Sequence, residues 1–185
     1  MLNIKTFFNG SIKLINSQLF KDSRGYFTES YNYNFFRKNF KVSDKFVQDN
    51  LSFSRKKNTI RGMHLQLPPF SQSKLVSVLS GSILDYFVDM RKSSKTFGLY
   101  GYVHLNSNKN QYLYVKKGFA HGFKTLEDNT TVFYKVSNYY SKKNEITLNF
   151  KDKHINIDWQ LNNSKPNLSK KDLNADNFDK IIKSL

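Results

Sequence analysis

The chain has 185 residues, with 30 Lys and Arg against 14 Asp and Glu, and no cysteine. This length predicts a single domain over residues 1–185. The absence of cysteine excludes disulfides, thiolate zinc sites and a cysteine nucleophile. No apolar run approaches the ~20 residues of a membrane span, and Met1–Gly10 lacks the apolar centre of a secretory signal. We therefore expect a soluble, cytoplasmic protein with no membrane partner.

The formal net charge of +16 raises the question of nucleic-acid binding. Only five of the basic residues are Arg, whose planar fork is the usual reader of base edges and phosphates. The lysines are scattered in twos and threes, with no block of five or six like charges. The charge pattern indicates a solvated surface that attracts small anions, and no nucleic-acid partner is expected.

Most predicted elements are short strands, rich in β-branched and aromatic residues and separated by polar turns. In chain order the strands are predicted at Ser11–Asn16, Lys45–Ser54, Lys74–Leu79, Ile83–Asp89, Tyr100–Leu105, Gln111–Val115, Thr130–Val136, Ile146–Phe150 and Ile155–Trp159. Ser80-Gly81 predicts a hairpin turn that makes Lys74–Asp89 an antiparallel pair.

Helix signals are few. Asn34–Phe40 predicts a short helix, and Ser169 with Asp172 resembles a capping box that begins a C-terminal helix ending at Ile182. Many short strands without alternating long helices predict an all-β sandwich or barrel with short peripheral helices.

No motif for a serine nucleophile elbow or for a phosphate-binding glycine loop is present. Two of the four histidines stand in suggestive settings: His64 on a predicted strand, and His121 in a turn bracketed by glycines. In a barrel they could converge on a metal, but Gln66 stands where a second imidazole would share the face of His64. A structural histidine is the alternative for both, and His104 and His154 are expected to be surface or packing residues.

The surroundings of His64 also fit proton transfer. Arg61 precedes it by three residues, and Lys74 follows the Pro68-Pro69 turn. A neutral imidazole beside cations can abstract a proton whose product anion the cations stabilise. Tyr134 and Tyr140 are candidate phenolic donors.

Seven segments, taken together and in order, resemble the dTDP-4-dehydrorhamnose 3,5-epimerase family from about residue 12 to about residue 175. They are Phe20–Glu29, Gln48–Ser54, Arg61–Gln66, Lys74–Val76, Val88–Ser94, Gly118–Phe123 and Leu168–Asp172. The resemblance implies a cupin-type jelly roll, no cofactor, no metal and a homodimer. It also implies an isomerase that epimerises a nucleotide-linked 4-keto-6-deoxy sugar at C3 and C5, for rhamnose-type sugars of surface polysaccharides.

The same resemblance implies the catalytic roles. His64 would be the base, Asp172 the carboxylate that orients it, Lys74 the group that stabilises the oxyanion, and Tyr134 the acid on the opposite face. The implied residues that bind the substrate, a dTDP-linked keto sugar or a close relative, are Phe20, Arg24, Phe27, Glu29, Gln48, Asn50, Arg61, His121 and Tyr140.

Four alternatives remain open. Relatives of this family invert C3 alone, and a 3,4-ketoisomerase would carry a second histidine where Gln66 stands. A metal-dependent cupin enzyme would bind stoichiometric metal. A non-catalytic basic module would show steeply salt-dependent affinity for DNA or RNA and no need of His64.

Overall fold

The computed structural model describes residues 3–185. Its strands are β1 Asn3–Phe7, β2 Ile12–Asn16, β3 Phe20–Asp22, β4 Gly25–Phe27, β5 Gln48–Ser54, β6 Ile60–Gln66, β7 Lys74–Ser80, β8 Ser82–Asp89, β9 Tyr100–Asn106, β10 Gln111–Val115, β11 Phe119–Thr125, β12 Thr130–Val136 and β13 Glu145–Thr147. The α-helices are α1 Tyr33–Phe40, α2 Lys170–Leu173 and α3 Phe178–Ile181, and a single 3-10 turn spans Lys142–Asn144.

The strands form two facing antiparallel sheets, the jelly-roll arrangement expected. One sheet has six strands in the order β1-β2-β10-β7-β12-β5, and the other has five in the order β13-β6-β11-β8-β9. Apolar side chains from both sheets interdigitate between them, with Val76 and Val132 from the first and Phe87 and Phe123 from the second in one cluster. The remaining pair, β3 and β4, makes a separate hairpin.

The predicted hairpin across Lys74–Asp89 is wrong in its pairing. A tight turn is present, with Gly81 at φ +79°, but β7 belongs to the six-stranded sheet and β8 to the five-stranded sheet. The turn therefore carries the chain from one sheet to the other. A Cβ at Gly81 would lie 2.5 Å from the Thr130 hydroxyl, so this sharp corner requires glycine.

Three further expectations are corrected. Ile155–Trp159 is irregular chain that packs Ile155 and Trp159 onto the outer face of the five-stranded sheet, so burial without pairing produced the strand-like pattern. The predicted C-terminal helix is two short helices, α2 and α3, separated by residues 174–177. His121 lies within β11 rather than in a turn: Gly122 permits close packing of β11 against β6, and Gly118, at φ +91°, belongs to the turn that precedes β11.

The two sheets differ in what covers their outer faces. The five-stranded sheet is covered by the C-terminal segment, in a cluster that includes Trp159 and Phe178. Helix α1 covers only part of the six-stranded sheet, and Leu51, Phe53 and Leu79 remain exposed on its outer side. Within residues 3–185, no helix has the length and hydropathy needed to cross a membrane.

Candidate active site

A cavity of about 420 Å³ opens at one end of the sandwich, between the two sheets. The five-stranded sheet contributes Arg61, His64 and His121, and the six-stranded sheet contributes Lys74 and Tyr134. A smaller cavity of about 120 Å³ shares His64, Lys74 and Tyr134 with it. All four predicted catalytic side chains therefore meet, since Asp172 of α2 also lines the larger cavity.

His64 is held by a carboxylate at the cavity wall. Its Nε2 lies 2.8 Å from Asp172 Oδ1, and the Ser169 hydroxyl donates to Asp172 Oδ2 at 2.8 Å. Burial disfavours ionisation of this carboxyl, but the hydrogen bonds from His64 and Ser169 outweigh it and hold the pKa of Asp172 below its usual value. A carboxylate only accepts, so His64 donates through Nε2. Its Nδ1, which has no protein partner within residues 3–185, is then free to take a proton.

Ser169 shows why the chain folds this way locally. Its hydroxyl accepts a hydrogen bond from the Asp172 backbone N–H at 3.1 Å, which is the N-cap of α2 predicted from the sequence. The same cap turns the Asp172 side chain towards His64. The C-terminal segment thus supplies a carboxylate to a histidine 108 residues away in sequence.

A second imidazole–carboxylate pair lies beside the first. His121 stands directly opposite His64 in the β6–β11 register, and its Nε2 lies 2.6 Å from Asp85 Oδ1. Burial lowers the pKa of His121, against the opposing effect of the Asp85 carboxylate. Strands β6 and β11 approach so closely here that a Cβ at Gly62 would lie 2.7 Å from Gly122 Cα.

Lys74 is the cation on the opposite sheet. Desolvation lowers its pKa to about 8, although Asp85 and Glu145 favour the charged form. Lys74 lines both cavities, and one oxygen of Asp85 is buried without a hydrogen-bond partner among residues 3–185. An amine held in this way can stabilise an oxyanion that develops in the cavity.

Tyr134 faces the cavity from β12, on the sheet opposite His64. Burial raises the pKa of its phenol, so the hydroxyl stays protonated at neutral pH. His64 and Tyr134 therefore face one cavity from two sides, an arrangement in which a proton could be removed from one face of a carbon and returned to the other.

Two predicted binding residues of β5, Gln48 and Asn50, belong to an inward-facing polar row. Gln48 and Asn50 line the smaller cavity and are joined by a 2.8 Å hydrogen bond from Gln48 Nε2 to Asn50 Oδ1. Ser52 lines the larger cavity, and its buried hydroxyl has no partner among residues 3–185. Arg61, beside it, is fixed by Ser54 Oγ at 3.1 Å and Phe53 O at 2.8 Å, leaving N–H groups of its fork for a ligand.

Tyr140 lies at the exposed rim of the smaller cavity. Its hydroxyl donates to Glu145 Oε2 at 2.8 Å, and Lys171 Nζ lies 2.5 Å from the same oxygen. The hydrogen bond to Glu145 is the main cause that raises the pKa of Tyr140. This network joins β13 to α2 across the mouth of the site.

Four predicted substrate-binding residues are not brought to either cavity. Phe20, Arg24 and Phe27 lie on the β3–β4 hairpin, Glu29 follows it, and all four are solvent-exposed. The two phenylalanine rings face each other at 6.3 Å between centroids, and Arg24 pairs with Asp22. Within one chain the hairpin is therefore separate from the site.

Gln66 has a structural task. Its buried amide oxygen accepts a hydrogen bond from the Ser141 backbone N–H at 3.0 Å, which anchors the loop before β13. Over residues 3–185 no three His, Asp or Glu side chains converge in a way that could hold a metal ion. His104 and His154 are exposed, as expected.

The sequence arguments missed Asp85, Ser52, Glu145 and Lys171. Asp85 carried a signal, because a carboxyl within the otherwise apolar run Ile83–Val88 must have a buried partner. Ser52 could also have been found, because side chains alternate between the two faces of β5 and Ser52 lies two residues beyond Asn50, on the same face. Glu145 and Lys171 lie in charged surface-like sequence that gives no sign of the cavity.

Comparison with known proteins places this geometry in a family. The model of the dTDP-4-dehydrorhamnose 3,5-epimerase family matches residues 8–180. A relative of that name from Shigella flexneri is 42% identical over 167 residues, which is 90% of this chain and 91% of the relative.

Solved structures give the same result. The dTDP-4-dehydrorhamnose 3,5-epimerase of Bacillus anthracis, with TDP and PPi bound, is 41% identical with a TM-score of 0.91, over 96% of this chain and all (100%) of that one. The dTDP-6-deoxy-D-glucose-3,5-epimerase of Legionella pneumophila, in complex with dTDP-4-keto-L-rhamnose, is 36% identical with a TM-score of 0.91, over 98% of this chain and 95% of that one.

Proposed function

Because the chain belongs to the dTDP-4-dehydrorhamnose 3,5-epimerase family, we propose that it epimerises a dTDP-linked 4-keto-6-deoxy sugar at C3 and C5. The observation that carries the proposal is the placement of His64 with Asp172 on one side of the cavity and Tyr134 on the other. The product would be a precursor of a rhamnose-type sugar for surface polysaccharide.

The first step is removal of the proton on a carbon next to the ketone. His64 Nδ1 accepts this proton, and Asp172 stabilises the imidazolium through Nε2. The electron pair of the C–H bond moves into the C3–C4 or C5–C4 bond, and negative charge develops on the keto oxygen. Lys74, as an ammonium, lies at the site to stabilise that oxygen.

The second step returns a proton from the opposite side. The Tyr134 phenol donates to the carbon face away from His64, the ketone re-forms, and the carbon is inverted. The tyrosinate regains a proton and the imidazolium loses one before the next turnover. Atoms and electrons balance without any redox partner, and the chemistry requires no metal or cofactor.

The nucleotide would be recognised around this centre. Arg61 presents a fork to the diphosphate, and the free Ser52 hydroxyl beside it can donate to an oxygen of the substrate. Gln48 and Asn50 offer amide groups, and Tyr140 offers an exposed aromatic face. His121 lines the larger cavity and would contact the sugar.

We also propose a homodimer in the cytoplasm. The hairpin exposes 52% of Phe20 and 66% of Phe27, and the outer face of the six-stranded sheet exposes Leu51, Phe53 and Leu79. Pairing of two copies through this face would cover the apolar patch and carry each hairpin towards the partner's cavity. That placement would let Phe20, Arg24, Phe27 and Glu29 reach the nucleotide.

The test is conversion of dTDP-4-keto-6-deoxyglucose followed by proton NMR, with protein dialysed against a chelator. Inversion at C3 and C5 is expected. Inversion at C3 alone would replace the proposal with the narrower epimerase. Turnover only after iron, zinc or manganese is added would favour the metal-dependent alternative, and turnover only of the GDP-linked sugar would change the nucleotide.

A further inference from the structure

The β3–β4 hairpin is attached to the rest of the protein in an unusual way. β3 and β4 pair only with each other, over Phe20–Phe27, Lys21–Tyr26 and Asp22–Gly25. Every residue of the two strands is exposed. A two-stranded hairpin of this size has little stability of its own in water, so its direction depends on what holds its base.

Two side chains, those of Thr28 and Asn110, hold that base. The Thr28 hydroxyl donates to the Gln18 carbonyl at 2.7 Å, which closes the two ends of the hairpin on each other. Asn110 Nδ2 then donates to Thr28 Oγ1 at 3.0 Å and to the Gln18 carbonyl at 3.3 Å. The backbone carbonyl of Asn110 accepts from the Ser17 N–H at 3.0 Å. Asn110 therefore holds both ends of the hairpin at once.

The other end of Asn110 reaches into the core. Its Oδ1 accepts a weak hydrogen bond from the Tyr112 hydroxyl at 3.4 Å, and the Tyr112 ring packs edge-on against Phe36 of α1, with centroids 5.9 Å apart. Tyr112 is 7% exposed and belongs to the cluster beneath α1. The side-chain amide of Asn110 therefore connects the base of the hairpin to a packed part of the fold.

We infer that Asn110 and Thr28 form a positioning clasp that sets how the hairpin of one protomer meets the nucleotide in the partner's cavity. The inference rests on the proposed function and dimer, and concerns residues that touch neither the reacting carbons nor the cavity. Without the clasp the hairpin samples several directions, and the binding-competent one is populated only in part. Substrate affinity then falls by that fraction while bound substrate reacts normally.

The experiment compares four variants by steady-state kinetics on dTDP-4-keto-6-deoxyglucose. Asn110→Ala and Thr28→Val are expected to raise KM about three- to tenfold with kcat unchanged, because the first removes three side-chain hydrogen bonds and the second removes two. Thr28→Ser keeps the hydroxyl and should restore the wild-type KM. Asn108→Ala is the matched control, since Asn108 is exposed and donates only from its backbone N–H.

Two further measurements separate the outcomes. The double variant Asn110→Ala/Thr28→Val should be no worse than either single variant, because both remove one unit. Hydrogen exchange in the peptide over 18–28 should accelerate in Asn110→Ala while core peptides stay protected. A KM unchanged in Asn110→Ala, or a fall in kcat without a rise in KM, would overturn the clasp. Absence of wild-type turnover would instead overturn the proposed function.

Discussion

The two imidazole–carboxylate pairs of the site have the same chemistry and different surroundings. His64 keeps 30% of its side chain accessible, while His121 keeps 7%, and the N···O distances are 2.8 Å and 2.6 Å. Asp172 is satisfied by a serine hydroxyl, whereas one oxygen of Asp85 is buried without a partner in residues 3–185. The two pairs therefore differ in access to the cavity and not in the presence of a carboxylate, and the proposed mechanism takes the more accessible imidazole as the base.

The difference extends to electrostatics. Hydrogen bonds lower the pKa of Asp172. The open pair, His64 with Asp172, therefore retains a charged carboxylate that can stabilise an imidazolium. Burial lowers the pKa of His121. This favours a neutral ring in the sealed pair, His121 with Asp85, which lies close to the Lys74 ammonium. The one N–H of a neutral His121 ring donates to Asp85, so its Nδ1 can accept a hydrogen bond from a hydroxyl of the sugar.

Removal of the open imidazole should have the largest effect. His64→Ala is expected to lower kcat about 10³-fold or more, because His121, the other imidazole that lines the cavity among residues 3–185, is far less accessible. His121→Asn keeps a hydrogen-bonding group and should cost far less, on the order of tenfold. Rates for both variants, with folding checked by circular dichroism, test the assignment. Equal losses of kcat in the two variants would show that both imidazoles take part in proton transfer.

Loss of the acid should be next in size. Tyr134→Phe keeps the ring and removes only the hydroxyl, so net epimerisation is expected to fall on the order of 10²-fold. Exchange of the substrate proton with solvent through His64 should persist. NMR can follow inversion and exchange in the same sample. Full-rate inversion in this variant would remove Tyr134 from the mechanism.

The two carboxylates should differ in kind. Asp172→Asn leaves His64 without its charged partner and should lower kcat about ten- to a hundredfold. Asp85→Asn should affect kcat less at pH 7 and instead act through Lys74, since Asp85 is the main charge that opposes the lowering of the Lys74 pKa. Kinetics at a single pH, with thermal unfolding as the folding control, distinguish these outcomes. A larger kcat loss from Asp85→Asn would reverse the roles of the pairs.

The smallest predicted effect is the pH dependence of the wild type. Lys74 has a pKa of about 8 in the folded chain, so its ammonium is half lost at that pH and activity should fall by about twofold there and further above it. In Asp85→Asn this alkaline limb should move to lower pH, whereas in Asp172→Asn it should not. If the fall in activity at alkaline pH occurred at the same pH in Asp85→Asn as in the wild type, Asp85 would not influence the pKa of the group responsible.

The same shift gives a stability prediction of opposite sign. The folded pKa of Lys74 is below its ordinary value of 10.5, so between about pH 8 and that value the unfolded chain binds more protons than the native one. The contribution of Lys74 to the free energy of unfolding should therefore rise with pH across this window, while activity falls. Denaturant titrations of wild type and Lys74→Met at pH 7.5 and 9.5 measure it.

The sequence predicted most strands because period-2 patterns and turn residues are local signals, and Gln111–Val115 and Thr130–Val136 were found at their predicted bounds. It failed where the outcome depended on distant partners. Gly81 marks a turn in either case, and only the pairing of β7 with β10 and β12 makes it a passage between sheets. Buried chain at Ile155–Trp159 reads like a strand because burial, not pairing, sets its composition.

The site shows the same division. The motifs indicated His64, Lys74, Tyr134 and Asp172, and all four line one cavity, while their catalytic roles stay a prediction. Local sequence could not supply the partner of His121, because Asp85 lies on a neighbouring strand and becomes a partner only through the β8–β11 register. Phe20 and Arg24 lie on an exposed hairpin away from both cavities, and only the proposed dimer would bring them to the nucleotide, so their binding roles stay a prediction.

The most direct test of the central claim is deuterium incorporation from D₂O into dTDP-4-keto-6-deoxyglucose, followed by NMR in wild type, His64→Ala and His121→Asn. Wild type should introduce label at both C3 and C5, His121→Asn should do so more slowly, and His64→Ala should introduce none. Wild-type labelling by His64→Ala, or loss of label only in His121→Asn, would contradict the assignment of the open pair as the base.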